Sequence, residues 1–248
     1  MSDSTIRQAQ DKCHDINRSI KDFFEKINDV LGWVPDFLSG MVSSIQDAID
    51  ALNEKLAEFW DRVNQLFGQT GSPDRLHQVA ADWAGRVGNA VGDIAGPISP
   101  DKLQTTLDWQ GRGAEAYRAT VPAQVDGLNS VKDLAHQLRS SLDNLGNGIH
   151  SFWLTVVLAL VGFGIAAVAA IAAACTVVGI PAAIAALLGG VGIALALIAT
   201  AVTAVTSLTD TIANEQNTIS QKIRDLGSDW AKSNVAAMQH KSDWHVMR

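Results

Sequence analysis

Residues Ser151–Thr209 read SFWLTVVLALVGFGIAAVAAIAAACTVVGIPAAIAALLGGVGIALALIATAVTAVTSLT, and not one charged side chain occurs among them. Two apolar blocks lie inside, about Phe152 to Ala174 and about Ile180 to Thr206, with the turn signal Gly179-Ile180-Pro181 between them. Each block meets the roughly 20-residue length that crosses a bilayer as a helix. Each Leu, Ile, Val or Phe contributes roughly −0.3 to −0.6 kcal/mol towards insertion, and Gly and Thr dilute the sum. The stretch therefore predicts an apolar helical hairpin for which insertion is favourable without being compulsory.

Within it, Gly162, Gly164, Gly189, Gly190 and Gly192 let helix backbones approach closely. That property suits assembly in a membrane, and it equally suits tight packing inside a soluble bundle. Phe152 and Trp153 open the first block either as interfacial anchors or as ordinary core aromatics. With Pro181 at the turn, these residues form the candidate insertion set.

Working outward, both flanks are amphipathic. From about Thr5 to Leu31, Ile6, Cys13, Ile16, Ile20, Phe23, Ile27 and Val30 recur at helical spacing. Gly32 and Pro35 end that helix. A second, about Asp36 to Phe67, carries a near-heptad seam through Leu38, Met41, Ile45, Ala48, Leu52, Leu56, Phe59, Val63 and Leu66. Ser72-Pro73-Asp74 then supplies a cap, a proline at the first helical position and an acid in the first turn. Leu76, Val79, Trp83, Val87, Ala90 and Ile94 form the expected buried face of this next helix, and Gly96-Pro97 ends it. Ser99-Pro100-Asp101 repeats the start signal for a short piece to Trp109. After Gly111 and Gly113 a long helix follows, its stripe running from Val125 through Leu128, Val131, Ala135, Leu138, Leu142, Leu145 and Ile149 to Phe152. Pro122 predicts a late start or a kink in it. Beyond Asp210, Ile212, Ile219, Ile223, Leu226 and Trp230 make a last stripe to about Met238. The expected fold is all-α: an elongated antiparallel helical bundle with a long apolar helical hairpin. Its segments are 1–70 (amphipathic hairpin), 71–150 (second helical hairpin), 151–209 (apolar hairpin) and 210–248 (amphipathic helix and tail).

A net charge of −7 without a basic block argues against nucleic acid as a partner. Residues Met1 to Lys12 are polar and lack an apolar h-region, so a Sec-type signal peptide is not expected there. Cys13 and Cys175 are expected as small buried side chains. His14, His77, His136, His150, His240 and His245 form no metal-ligand spacing. No phosphate loop, dinucleotide fingerprint or nucleophile elbow occurs. Asp47, Asp50, Glu54, Glu58 and Asp61 are spaced as a solvated helix face. No catalytic residue, metal or cofactor is therefore expected, and the chain does not read as an enzyme.

Residues from about Pro73 to Leu145 resemble the Trp-X-Gly family of small proteins exported by type VII secretion systems. The resemblance rests on Asp108-Trp109-Gln110-Gly111 at the turn between two amphipathic helices, and on Gly113-Ala114-Glu115-Ala116-Tyr117 opening the second helix. Gly permits the tight turn and Trp109 plugs the end of the helical pair, so Trp109, Gly111 and Gly113 are the candidate turn residues. A second Trp-X-Gly, Trp83-Ala84-Gly85, falls mid-helix, where Trp83 reads as core. The family's Tyr-x-x-x-Asp/Glu export signal is absent, since the only tyrosine, Tyr117, is followed four residues on by Val121. The resemblance thus implies a partner chain of the same family that supplies the signal. The second helical pair of a four-helix bundle would come either from that partner or from the hairpin Thr5–Phe67. Soluble helices around one apolar hairpin are also similar to α-helical pore-forming toxins. Together these imply a protein secreted by a type VII-like route, or membrane-associated, that inserts its hairpin into a lipid membrane and forms homo-oligomers as a pore. The alternatives are a non-enzymatic delivery or scaffold module that binds a partner helical protein, and a resident two-span membrane protein.

Overall fold

The computed structural model describes residues 2–32, 39–68, 71–99, 101–102, 109–229 and 245–246. It is all-α, with α1 (Ser2–Leu31), α2 (Ser39–Phe67), α3 (Pro73–Asp82), a π-helical segment (Trp83–Asn89), α4 (Ala90–Ala95), α5 (Arg112–Ala173) and α6 (Ile180–Asp229). Two short strands, β1 (Trp109–Gln110) and β2 (His245–Val246), pair antiparallel. The expected starts at Asp36 and Pro100, and Trp230 of the last stripe, lie outside the described residues.

The apolar blocks are not free-standing helices. Each is part of a longer one, α5 with 62 residues and α6 with 50. Gly146 and Gly148 weaken helix locally but retain their backbone N–H, so α5 passes through them. It also runs through Pro122, which neither delays its start at Arg112 nor ends it. The turn between α5 and α6 covers residues 174–179, and Pro181 follows in the first turn of α6, where a missing N–H leaves no hydrogen bond unmade.

The chain divides into two compact units, Met1–Asp74 with Gly146–Leu208, and Arg75–Leu145 with Thr209–Arg248. In the first, the stripes of α1 (Ile16, Ile20, Phe23, Ile27) and α2 (Ile45, Leu52, Leu56, Phe59, Val63) join the apolar hairpin in one core. Phe59 meets Phe163 edge-on with centroids 5.0 Å apart, and Phe67 stacks on Trp153 at 5.3 Å. Within this unit the stripes of α1 and α2 are thus buried against the apolar hairpin. The reason is physical: a helix apolar on every side must cover what it can, and the broad aliphatic and aromatic stripes of α1 and α2 match it best.

The second unit has a lighter core of Ala80, Ala84, Ala95, Ala114, Val121, Leu134 and Ala135. Here Trp83 is not buried: 40% of it is exposed, as is 55% of Ile94. The buried line is Ala80, Ala84 and Gly88, one position along from the expected stripe. Small residues win because the helices approach closely; a Cβ at Gly88 would lie 3.3 Å from His136 Nε2 and 3.4 Å from Ala135 Cβ. The offset is already present in α3, where Ala80 is buried and Val79 exposed, and it continues through the π-helical segment. Polar contacts complete this unit. His77 Nδ1 lies 2.8 Å from Asp143 Oδ1, the Ser141 hydroxyl donates to Glu215, and Lys222 Nζ donates to Gln137 at 3.1 Å.

Candidate functional site

The apolar hairpin is built from two helices that bury one face each. Along α5 the buried line is Trp153, Val156, Val157, Ala159, Leu160, Phe163, Ala167 and Ala170, with Ala174 just beyond its end; along α6 it is Ile180, Ala183, Ile184, Leu187, Val191, Ala194, Ile198 and Ala201. Both lines advance by three and four residues, so each is a single helical face. In a soluble amphipathic helix the rest of the circumference is polar. Here it is not. Leu154, Leu158, Ile165 and Val168 of α5, and Ile193, Leu197 and Val202 of α6, are exposed, Leu158 by 60% and Ile193 by 65%. The most apolar 18-residue stretches of α5 and α6 have mean hydropathies of 2.7 and 2.5, yet only 39% and 33% of them is buried. A core helix of a soluble protein would be mostly buried.

The candidate glycines divide by what a side chain would meet. At Gly162, Gly189 and Gly192 nothing lies within 4 Å of an added Cβ, so all three face open space. At Gly190 a Cβ would lie 2.6 Å from Ala166 Cβ and 3.4 Å from the Phe163 ring, which makes Gly190 the close approach between α5 and α6. At Gly164 it would lie 3.7 Å from Ile16 Cγ1, where α1 passes over α5. Trp153 is 2% exposed and belongs to the core, with the half-buried Phe152 set edge-on to it at 5.3 Å. Pro181 is exposed beside the turn. Cys175, expected to be buried, is exposed in that turn; Cys13 is half-buried, and burial pushes its thiol up to about 11.

One feature of the site was hidden in the sequence. The hydroxyls of Thr155, Thr200, Thr203 and Thr206 donate to the carbonyls of Ser151, Ala196, Ala199 and Val202 at 3.0, 2.9, 3.0 and 3.0 Å. These threonines are therefore satisfied within their own helices, which lowers the cost in hydrocarbon of the exposed Thr200, Thr203 and Thr206. The signal was Thr on an assured helix, four residues beyond an available carbonyl.

At the Trp-X-Gly segment, Gly111 has φ 106°, a left-handed conformation that favours glycine. Its carbonyl accepts from Glu115 N at 3.1 Å, starting α5. Arg118 Nη2 donates to the Trp109 carbonyl at 2.9 Å, and the Trp109 and Tyr117 rings lie 5.7 Å apart. Gly113 sits beneath Trp109, with 3.5 Å between an added Cβ and Cζ2. Asp108 lies outside the described residues. Among the described residues no three His, Cys, Asp or Glu side chains are placed to hold a metal ion.

Fold and site together define an all-α protein built on a partly covered apolar hairpin, with two helices long and apolar enough to cross a membrane. Comparison with protein-family models, with curated proteins and with solved structures finds no match in any of the three.

Proposed function

We propose that this chain is a type VII secretion-associated protein that inserts its apolar hairpin into membranes, several copies assembling into a pore. The observation that carries the membrane part is the pair of long apolar helical stretches, each with large apolar side chains left exposed in the folded protein. An exposed apolar surface of this kind marks a site for lipid or for a partner. Lipid is favoured because the face is helical, uncharged and internally hydrogen-bonded. Support for the secretion part comes from the Trp-X-Gly segment, where Gly111 takes the left-handed turn that opens α5.

Cys175 offers the test, since it is exposed in the turn at the tip of the hairpin. In a Cys13→Ser protein it is the only thiol. A membrane-impermeant maleimide sealed inside phosphatidylcholine vesicles should label Cys175 after the protein is added outside. Labelling only by external reagent, with the protein recovered free of lipid, would end the insertion reading.

A second reading has its own observation. Val79 and Trp83 are exposed on the second unit by 37% and 40%. Large apolar side chains presented on a helix suit a non-enzymatic module that binds a partner helical protein. Copurification of such a partner, lost on Trp83→Ala and accompanied by inertness to vesicles, would favour this reading over the first.

A further inference from the structure

We infer that the α1–α2 hairpin is a removable cover, and that it must separate from α5 and α6 before the apolar hairpin inserts. This rests on the membrane reading above. The apolar stripes of α1 and α2 bury the hairpin in a shared core, and α1 crosses α5 at Ile16 and Gly164. The outer surfaces of the same two helices are densely charged. Asp11, Asp15, Arg18, Lys21, Asp22 and Glu25 of α1 are exposed, as are Asp47, Asp50, Glu54, Lys55, Glu58, Asp61 and Arg62 of α2. Every one of these charges would enter hydrocarbon if the hairpin crossed a bilayer with its cover in place. The packed arrangement is thus a water-soluble form, and it cannot be the spanning one. A resident two-span protein in this conformation would carry the same cost.

Three further features fit release. The cover and the hairpin are separated in sequence by all of residues 75–145, so no short connection ties one to the other. A groove of about 530 Å³ runs along the seam, between Ile16 and Ser19 of α1 and Val161, Ile165 and Val168 of α5. Finally, the cover has an alternative place to go. Its stripe is one-sided, so after separation α1 and α2 would lie flat at the membrane surface, apolar side inward. Their charges are mixed and carry an acidic excess, so an uncharged or zwitterionic lipid surface suits them better than an anionic one.

The test is a crosslink across the seam. With Cys13 and Cys175 replaced by serine, Ile16→Cys and Gly164→Cys stand at the crossing of α1 and α5. Oxidised protein is added to dye-loaded phosphatidylcholine vesicles and compared with the same protein after reduction. Release at a tenth of the reduced rate or less is expected, with full recovery on reduction. Equal release from the two forms, with wild type active, would overturn the cover while leaving insertion intact. Wild type inert to the vesicles would remove both. Should the double variant be inactive in either redox state, Phe59→Ala decides, because it removes a contact between α2 and Phe163 of α5. Release at least tenfold faster than wild type supports the cover; an unchanged or slower rate overturns it.

Discussion

Placing one acid on each hairpin helix, as Gly162→Asp with Gly189→Asp, tests the proposed insertion without disturbing the fold. Both positions lie near the middle of their apolar blocks, and nothing stands within 4 Å of an added Cβ at either. In water the new carboxylates are solvated. Aspartate is also slightly better than glycine inside a helix, so fold stability should change by less than about 0.5 kcal/mol. In a bilayer the balance reverses. A charge at the centre of a spanning helix costs about 2.5–3.5 kcal/mol, so two cost about 5–7 kcal/mol and shift the insertion equilibrium by roughly four to five orders of magnitude. The assay is recovery of protein with floated vesicles and release of trapped dye, with circular dichroism melting as the control. Wild-type melting together with abolished flotation and release is expected. Undiminished release from the double variant would refute the reasoning, because the uncovered face would then not be the one that meets hydrocarbon. Gly190 could not serve in their place: its Cβ would lie 2.6 Å from Ala166 Cβ, so an acid there would break the fold first.

Other outcomes follow from single contacts. Gly190→Ala should destabilise the first unit by about 1–3 kcal/mol through overpacking, read as a lowered melting temperature; an unchanged melt would mean that α5 and α6 are not in close approach there. Gly111→Ala places a side chain at φ 106° and should cost about 1–2 kcal/mol, whereas Gly85→Ala, with nothing within 4 Å, should not destabilise. Because burial raises the Cys13 thiol to about 11, only about one molecule in a thousand carries its thiolate at pH 8. A thiol reagent at that pH should therefore modify the exposed Cys175 quickly and Cys13 slowly, the latter speeding up as pH approaches 11; equal rates at pH 8 would contradict the burial. Ser141→Ala leaves the Glu215 carboxylate without its hydroxyl partner and should cost about 1–2 kcal/mol of stability, measured by urea denaturation; no loss would show that solvent already satisfies Glu215.

The helices of this protein were legible because their signals are local. Apolar spacing in α1 and α2, the Ser72-Pro73-Asp74 start, the Gly96-Pro97 stop and the charge-free stretch from Ser151 to Thr209 each act within a few turns. Local signals do not suffice where a side chain's surroundings depend on a distant segment. Apolar spacing places Trp83 in the core, because large apolar residues usually supply the buried stripe. Close packing against Ala135 and His136 instead selected Ala80, Ala84 and Gly88. Of the late start or kink that Pro122 predicts, the late start is not found: α5 begins at Arg112 and holds Pro122 in its interior.

The same division holds for the site. An uncharged pair of blocks, each long enough to cross a bilayer, is a property of composition and length, and the sequence alone determined it. Which glycines face open space, which one receives Ala166, and which helices cover the hairpin were decided by tertiary structure. Backbone propensity and periodicity describe a helix by itself, whereas burial is a property of pairs, and α1 and α2 had equally good stripes for several partners. They were claimed by the hairpin because its helices, apolar on every side, had the most surface to remove from water.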